Sequence, residues 1–143
     1  MEKHKNILEC CLFFTANSLA RAISKMGEEE FAAAGMTPSY AFLLTIVISH
    51  PGISQKDLAA QLHMAPSTVS RFVDTLITKG YISKETEGRS SYIFPTANGL
   101  KKKPEIDKAW HSLYQRYSTI LGKEHGNRLT EITAAASKKL QEG

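Results

Sequence analysis

The sequence predicts a mainly α-helical chain with one small β-hairpin near its middle. Apolar side chains recur three and four residues apart over most of the chain, which is typical of the buried face of a helix. The exception is the stretch 81–94, where two β-prone runs, YISKET and SYIF, flank the turn residues EGRS. A length of 143 residues fits one domain, or two small units that share a core.

Composition narrows the class of protein. The chain is 42% hydrophobic and 22% charged, which is enough to bury a core. No stretch approaches the run of about 20 apolar residues of a membrane-spanning helix, so no membrane partner is expected. The only cysteines, Cys10 and Cys11, are adjacent and offer no disulfide framework, which indicates a reducing, cytoplasmic environment.

The N-terminal third predicts two helices. The first carries a seam of residues spaced alternately four and three apart, typical of a helix packed against others: Leu8, Leu12, Thr15, Leu19, Ala22 and Met26. Gly35 ends this region. Thr37 and Pro38 then predict the N-cap and first position of a second helix. Its run YAFLLTIVI is apolar on nearly every side and is expected to be buried.

Two short helices and the hairpin follow. Ser54 and Asp57 predict a capping box at the start of one helix, and Pro66 begins the next, which Gly80 closes. This second short helix, residues 66–79, has one continuous apolar stripe: Val69, Phe72, Val73, Leu76 and Ile77. The opposite face carries mostly short polar side chains: Ser67, Thr68, Ser70, Arg71, Asp74, Thr75 and Thr78.

The C-terminal third predicts two more amphipathic helices. Pro104 either kinks the first of them or marks its first turn. Its apolar stripe is Trp110, Leu113, Tyr114, Tyr117, Ile120 and Leu121. The stretch GKEHGN is expected to end it, and a last helix carries Leu129, Ile132, Ala135, Ala136 and Leu140. The run Lys101 to Lys103 is expected to be a solvated first helical turn that lends electrostatic support only.

Two short helices joined by a tight turn and followed by a hairpin predict a winged helix-turn-helix. The positive charge is concentrated there, because residues 54–103 carry 8 basic and 4 acidic side chains whereas residues 1–53 carry 4 and 5. Short donors and acceptors with one guanidinium can approach base edges in a major groove. The pattern therefore predicts a surface for double-stranded DNA. The alternative is an amphipathic surface helix whose serines and threonines act as capping groups.

In this interpretation each polar residue has a distinct role. Ser67, Thr68, Ser70 and Arg71 read bases, and Thr75 lies on the same face. The start of the preceding helix, with Ser54, Gln55 and Lys56, holds phosphates. Lys84 and Ser90 contact the DNA backbone, and Arg89 at the hairpin tip enters the minor groove. Asp74 is expected to orient Arg71 or to cap locally.

The stretch 36–82, from MTPSYAFLL to LITKGYI, resembles the core of the MarR (multiple antibiotic resistance regulator) family. The similar motifs are the Thr-Pro opening of the buried helix, ISQKDLAAQL, STVSR and LxxKGYI, and EGR with PTANG is similar to the family's wing tip and to the entry of its next helix. Glu87 replaces the usual Asp, Pro95 replaces Leu, and the hairpin is a few residues shorter. The resemblance implies a homodimer on a palindromic operator, with a DNA-binding domain over 36–99 and a helical dimerisation region over 1–35 and 100–143.

The resemblance also implies two kinds of signal. Family members bind phenolic or other amphipathic ligands between the dimerisation helices and the winged module, where Phe14, Tyr40 and Trp110 are candidate lining residues; the alternative is that these aromatics belong to the core. CCLFFTANS is similar to the cysteine-bearing stretch of the organic-hydroperoxide repressors, which makes Cys11 a redox candidate. Pro38 stands in the place of one activating tyrosine, and burial beside Phe13 and Phe14 is expected to make the thiol inert. A structural role for the cysteines is therefore favoured.

Other function classes find less support. A winged helix used for protein contact would carry exposed apolar side chains on its polar helix face, and none is present there. An enzyme would need a glycine-rich phosphate loop, an HExxH motif or a nucleophile with a base partner, and the sequence has no such pattern. The histidines are scattered and are interpreted as surface or packing residues: His4, His50, His63, His111 and His125. No metal or cofactor is expected. Repression and activation both remain open.

Overall fold

The computed structural model describes residues 6–143; residues 1–5, which include His4 and the start of the predicted dimerisation region, lie outside the described residues. It confirms the predicted fold class. The elements are α1 (Leu12–Phe31), α2 (Pro38–Ser49), β1 (Ile53–Ser54), α3 (Gln55–Leu62), α4 (Pro66–Thr78), β2 (Ile82–Glu87), β3 (Ser90–Pro95), α5 (Ala97–Lys101), α6 (Lys103–Leu121) and α7 (Lys123–Glu142).

The first helix begins later than the seam predicts. Residues Ile7–Cys10 form a 3-10 turn capped by Asn6, and Cys11 is extended with φ −97° and ψ 118°. The spacing of four between Leu8 and Leu12 is therefore not a helical spacing, and that part of the prediction is wrong. From Leu12 onward the predicted helix is confirmed.

The second helix is largely buried, as predicted, although Phe42 is 36% exposed. Ala41, Leu43, Leu44 and Val47 on α2 are fully buried. Pro38 occupies the first turn and Thr37 the N-cap position, although the Thr37 side chain makes no capping hydrogen bond in the described structure. Gly35 ends the preceding 3-10 turn Ala32–Ala34 with φ 70°, in the left-handed region that glycine accepts most readily.

The sheet has three strands instead of the predicted two. The order is β1-β3-β2, with both pairs antiparallel. The hairpin register runs from Ile82 opposite Pro95 to Glu87 opposite Ser90, and Gly88 and Arg89 form its loop. Gly88 has φ 61°, and a glycine at the first loop position is typical of a type II′ turn. The added strand β1 is only two residues long, too short to produce a period-2 pattern.

The C-terminal third differs from the prediction at two points, the first of which is the separate short helix α5 that precedes the two predicted helices. Pro104 lies in the first turn of α6, which resolves the two alternatives left open by the sequence. The break predicted over GKEHGN is reduced to Gly122, since α7 begins at Lys123. Gly126 is helical and buried, and a Cβ there would meet the Tyr117 ring at 3.7 Å. A methyl group would fit at this distance, and Gly126 lies inside α7 without ending a helix.

A single core joins the helix-turn-helix and the sheet to α1 and α6. The largest fully buried side chains are Phe31, Leu43, Leu44, Leu58, Leu76, Ile82, Ile93 and Ile106. At the surface, Arg116 of α6 lies 2.8 Å from Glu29 and 3.1 Å from Glu30 near the end of α1. The hydrogen bond that Arg116 donates to the Glu29 carboxylate is the main cause that raises the pKa of Arg116.

The ends of the described chain leave apolar side chains uncovered. Leu12 is 67% exposed, Ile120 69%, Ile132 52% and Leu140 69%. Among the described residues no single helix is long and apolar enough to cross a membrane. The pair 12–34 and 38–49, bent by 65°, passes that test jointly by length and composition.

Candidate nucleic-acid interface

Helix α4 is anchored by its apolar stripe. Val69, Val73 and Leu76 are fully buried. The Gly80 N–H donates to the Ile77 carbonyl at 2.9 Å and the Tyr81 N–H to the Leu76 carbonyl at 3.0 Å. With Gly80 at φ 85°, this is the Schellman arrangement, which ends α4 sharply just before β2. The predicted stripe and the predicted cap are both confirmed.

Five side chains on the polar face of α4 have no hydrogen-bond partner among residues 6–143, namely Ser67, Thr68, Ser70, Arg71 and Thr75. Ser67 and Arg71 are exposed, whereas Thr68, Ser70 and Thr75 are half-buried. Within residues 6–143, the side-chain hydrogen bond formed on this helix is that of Thr78 to the Asp74 carbonyl, at 3.0 Å. The serines of α4 therefore do not serve as caps, since the N-cap of the helix is Ala65. Their hydroxyls, with the Arg71 guanidinium, are available to an external partner.

Asp74 has a different neighbour from the one predicted. Its Oδ1 atom lies 4.0 Å from Nζ of Lys84 on β2. The expectation that Asp74 orients Arg71 is therefore wrong, and the carboxylate instead faces the wing. Ion pairs at such an exposed site contribute about 0–1 kcal/mol to stability, so this contact matters mainly for the local charge.

The start of α3 and the tip of the wing line one cleft. The Ser54 Oγ atom accepts a hydrogen bond from the Asp57 N–H at 3.1 Å, which confirms the predicted cap. A cavity of about 500 Å³ is lined by Ser54 to Asp57 on one side and by Arg89 to Tyr92 on the other. The structure thus brings together Ser54, Gln55, Lys56, Arg89 and Ser90, which are far apart in sequence. Lys56 and Arg89 are exposed, whereas the Gln55 Oε1 atom is buried and has no hydrogen-bond partner among the described residues.

Two residues that position this surface were not predicted as functional. The Thr96 hydroxyl donates to the Gly80 carbonyl at 2.6 Å and accepts from the Gly99 N–H at 3.0 Å. A Cβ atom at Gly99 would overlap the Tyr81 carbonyl oxygen, so α5 rests directly on the junction between α4 and β2. Part of the signal was present in the sequence, because threonine is a preferred N-cap whose hydroxyl accepts a hydrogen bond from an N–H two or three residues later.

The predicted ligand-lining aromatics have separate partners. Tyr40 packs edge-on against Phe72 with ring centroids 4.9 Å apart. Trp110 stacks on Phe42 at 4.8 Å and meets the Phe31 ring edge-on at 4.9 Å, while Phe14 is exposed on α1. A different apolar cavity of about 220 Å³ lies between α1, α6 and α7, lined by Leu19, Ile23, Tyr117, Leu121, Gly126, Leu129, Thr130 and Thr133.

The expected environment of the cysteines and of the lysine run is partly wrong. Cys10 and Cys11 are both exposed in this chain, because α1 begins after them and does not carry them into its packed face. In the lysine run, Lys101 and Lys103 are exposed as expected, but the Lys102 side chain is only 16% exposed.

The four histidines within the described part of the chain are not grouped with other potential metal ligands. Within residues 6–143 there is no group of three or more His, Cys, Asp or Glu side chains that could hold a metal ion. His63, in the turn between α3 and α4, adopts a left-handed backbone with φ 56°. Its Nδ1 atom lies 2.7 Å from Oε1 of Gln141 on α7, so this histidine has a partner within the chain.

Comparison with known proteins agrees with this geometry. The MarR family model matches residues 36–87. A curated relative in Bacillus subtilis, the uncharacterized HTH-type transcriptional regulator YybA, is 29% identical over 89 residues, which are 60% of this chain and 59% of the relative. The aligned part thus spans little more than half of that relative.

Solved structures share the fold over nearly the whole chain. The transcriptional repressor CouR bound to a 23-mer DNA duplex has a TM-score of 0.85 and 18% identity, covering 96% of this chain and 99% of that one. The PcaV regulator from Streptomyces coelicolor, in complex with its natural ligand, has a TM-score of 0.82 and 18% identity, covering 96% and 98%. The fold and the candidate nucleic-acid interface together define a winged helix-turn-helix protein, in which long helices flank the winged module. Within it, residues 36–87 are similar to the MarR family.

Proposed function

We propose that the protein is a dimeric transcriptional regulator that binds palindromic operators through α4 and the wing. The observation that carries the proposal is the polar face of α4, where the exposed Ser67 and Arg71 have no side-chain partner in the described chain. Beneath them Val69, Val73 and Leu76 are fully buried. A rigid helix with free short donors and a guanidinium suits the major groove, where Arg pairs with guanine and Ser or Thr with either base type.

Phosphate contacts complete the interface. The cleft between α3 and the wing brings the exposed cations Lys56 and Arg89 to one side of the molecule, beside the first turn of α3. Free N–H groups at a helix start attract phosphate oxygens, which supports a backbone contact for Ser54 and Gln55. Because the Gln55 Oε1 atom is buried, its main-chain N–H is the group proposed to take part. Arg89 is proposed to reach the minor groove, with Lys84 and Ser90 on the DNA backbone.

We infer a dimer from the large apolar side chains that a single copy of the chain leaves exposed. Burying a large apolar side chain contributes about 1.5–3 kcal/mol, so leaving Leu12, Ile120, Ile132 and Leu140 in water is costly. These residues lie on α1, α6 and α7, within the proposed dimerisation region 1–35 and 100–143 that flanks the winged module, residues 36–99. A second copy of the chain would cover them and place two copies of α4 on one face of the duplex.

The signal is proposed to be a small amphipathic or phenolic ligand. Support comes from the structural similarity to PcaV, which is solved with its natural ligand. Phe14, Tyr40 and Trp110 remain the proposed lining residues. Repression is favoured by the similarity to CouR, which is described as a repressor. We assign no enzymatic activity to the chain and place its action in the cytoplasm, with its DNA. Peroxide sensing through Cys11 is not favoured.

Selection from a random pool of DNA duplexes tests this function. We expect an inverted repeat whose half-sites lie about one helical turn apart, because the two copies of α4 must enter successive major grooves. Affinity should fall steeply with salt concentration, since Lys and Arg contacts release counterions. A pool that returns no palindrome, with no sequence preference at low salt, would contradict the proposal.

A further inference from the structure

Lys102 occupies an unusual position for a lysine in a basic run. It is at once the C-cap of α5 and the N-cap of α6, and its side chain is 16% exposed. Lysine is almost never fully buried unless its ammonium is paired. The contacts of the Lys102 ammonium therefore indicate what this position is for.

Three segments of the chain meet at this ammonium. Lys102 Nζ donates to the Ala34 carbonyl at 2.6 Å, at the end of the turn that follows α1. It lies 5.6 Å from the centre of the Tyr81 ring, at the start of the wing. It is 3.6 Å from Glu105 Oε1 on α6.

Gly35 follows the carbonyl that Lys102 contacts, and a Cβ atom there would be at an ordinary van der Waals distance from the ammonium. Gly35 has φ 70°, and a Cβ atom there would lie 3.6 Å from Lys102 Nζ. The Ala34 carbonyl, at the end of a 3-10 turn, has a partial negative charge and accepts no intrahelical bond, so a cation is a favourable partner. Lys102 thus joins the end of the α1 region to the base of the wing.

We propose that Lys102 is a positioning residue that fixes the angle between the winged module and the dimerisation helices, and thereby the half-site spacing that the dimer accepts. The proposal rests on the proposed function. Ala34 and Lys102 belong to the segments that lead out of the winged module in both chain directions, and Tyr81 lies between α4 and the hairpin. A cation that holds all three restricts rotation at the junction of the two units.

The neighbouring lysines provide the control. Lys101 and Lys103 are exposed, and Lys103 Nζ lies 2.6 Å from Asp107 on its own helix. Lys101→Met therefore removes one positive charge next to Lys102 without removing a link between segments. Lys102→Met has the same charge change and an unbranched side chain only one atom shorter, but it loses the hydrogen bond to Ala34.

The experiment measures the affinity of each variant for a set of duplexes that carry the selected half-sites at spacings from four base pairs shorter to four longer. Wild type and Lys101→Met should share one sharply preferred spacing. Lys102→Met should bind several spacings within a few-fold of one another, with the salt dependence unchanged. If Lys102 instead contacted a phosphate, the logarithmic salt slope would drop by about 0.9 and the preferred spacing would stay sharp.

A second variant keeps the test decisive if Lys102→Met does not fold. Lys102→Arg retains the charge, but its wider guanidinium must displace the Ala34 carbonyl, so the preferred spacing should shift. Unchanged spacing preference in the folded variants overturns the inference about Lys102. Failure of wild type to select any spaced palindrome overturns the proposed function instead, and the two outcomes are therefore distinguishable.

Discussion

Gly99 packs against the carbonyl group of Tyr81 so closely that a Cβ atom would overlap the oxygen. The same carbonyl accepts the Thr96 N–H at 3.1 Å. The end of α4 and the start of β2 both belong to the proposed DNA surface. The contacts of Thr96 and Gly99, at the start of α5, therefore hold this junction in place.

Gly99→Ala is expected to destabilise the protein by about 1–3 kcal/mol, because the methyl group forces backbone to move. Thermal unfolding measures the loss. Gly126→Ala is the matched control: it is also helical, its Cβ would meet Tyr117 at an ordinary 3.7 Å, and alanine is favoured over glycine in a helix by roughly 0.5–1 kcal/mol. Equal destabilisation by the two substitutions would show that α5 does not rest on Tyr81 in this way.

The charge of Asp74 is expected to oppose DNA binding, because it faces Lys84 on the proposed DNA surface. Asp74→Asn should raise the affinity for any duplex and leave the sequence preference as it is. Lys84→Ala should lower affinity and reduce the salt slope by about 0.9, as loss of one phosphate contact does. Binding isotherms over a range of salt concentrations measure both effects. An unchanged slope in Lys84→Ala would remove this residue from the interface.

Arg89→Ala is expected to weaken binding mainly where the operator is flanked by A·T-rich sequence. A narrow minor groove has an enhanced negative potential that attracts a guanidinium. Affinities for two operators that differ only in their flanks give the comparison. Equal losses on both operators would argue for a simple phosphate contact at the wing tip.

The exposed apolar side chains Leu12, Ile120, Ile132 and Leu140, which form the proposed dimer face, are expected to hold the dimer together. Leu12→Asp changes a side chain that is 67% exposed in the single chain, so the chain should fold but remain monomeric. Gln61→Asp, at an exposed position of α3, introduces the same group outside this face and should leave the dimer intact. Sedimentation equilibrium distinguishes the two states.

Removal of residues 125–143 should be more severe and yield a poorly soluble product without operator binding, whereas a well-folded monomer from that truncation would contradict a shared core.

Operator binding is expected to survive treatment with a stoichiometric organic peroxide, although Cys11 is exposed. Exposure alone does not make a thiol reactive, since the thiolate must also be stabilised. DNA release can be followed by fluorescence anisotropy in wild type and in Cys11→Ser. Release that occurs in wild type and disappears in Cys11→Ser would establish the peroxide-sensing alternative.

Periodicity was sufficient to predict the parts of the fold that depend on one long helical face. The stripe from Val69 to Ile77 predicted the orientation of α4, and Gly80 predicted its end. Strand β1 could not be predicted, since two residues carry no period and their pairing with Ile93 and Tyr92 is made across the chain. Gly126 was interpreted as part of a break because a glycine inside a helix looks the same in sequence as one that ends a helix.

The candidate site, like the fold, could be predicted from the sequence only in part. The polar face of α4 was visible because burial of its stripe determines which residues face outward. The partners of Asp74 and Lys102 could not be predicted, because they lie on segments that only the fold brings together. Asp74 lies beside β2. Lys102 reaches a carbonyl group 68 residues away in sequence. Burial of one lysine in a run of three has no signature in composition or spacing.

The most direct test of the central claim is the sequence that wild type and Arg71→Ala each select from one random duplex pool. The account predicts an inverted repeat for both, with the same half-site spacing. In Arg71→Ala the preference at one base pair of each half-site should be lost and affinity should fall by about 1–3 kcal/mol. The matched control Arg128→Ala, on the exposed surface of α7, should select the wild-type sequence. Identical sequences and affinities for wild type and Arg71→Ala would contradict the claim that the polar face of α4 reads DNA.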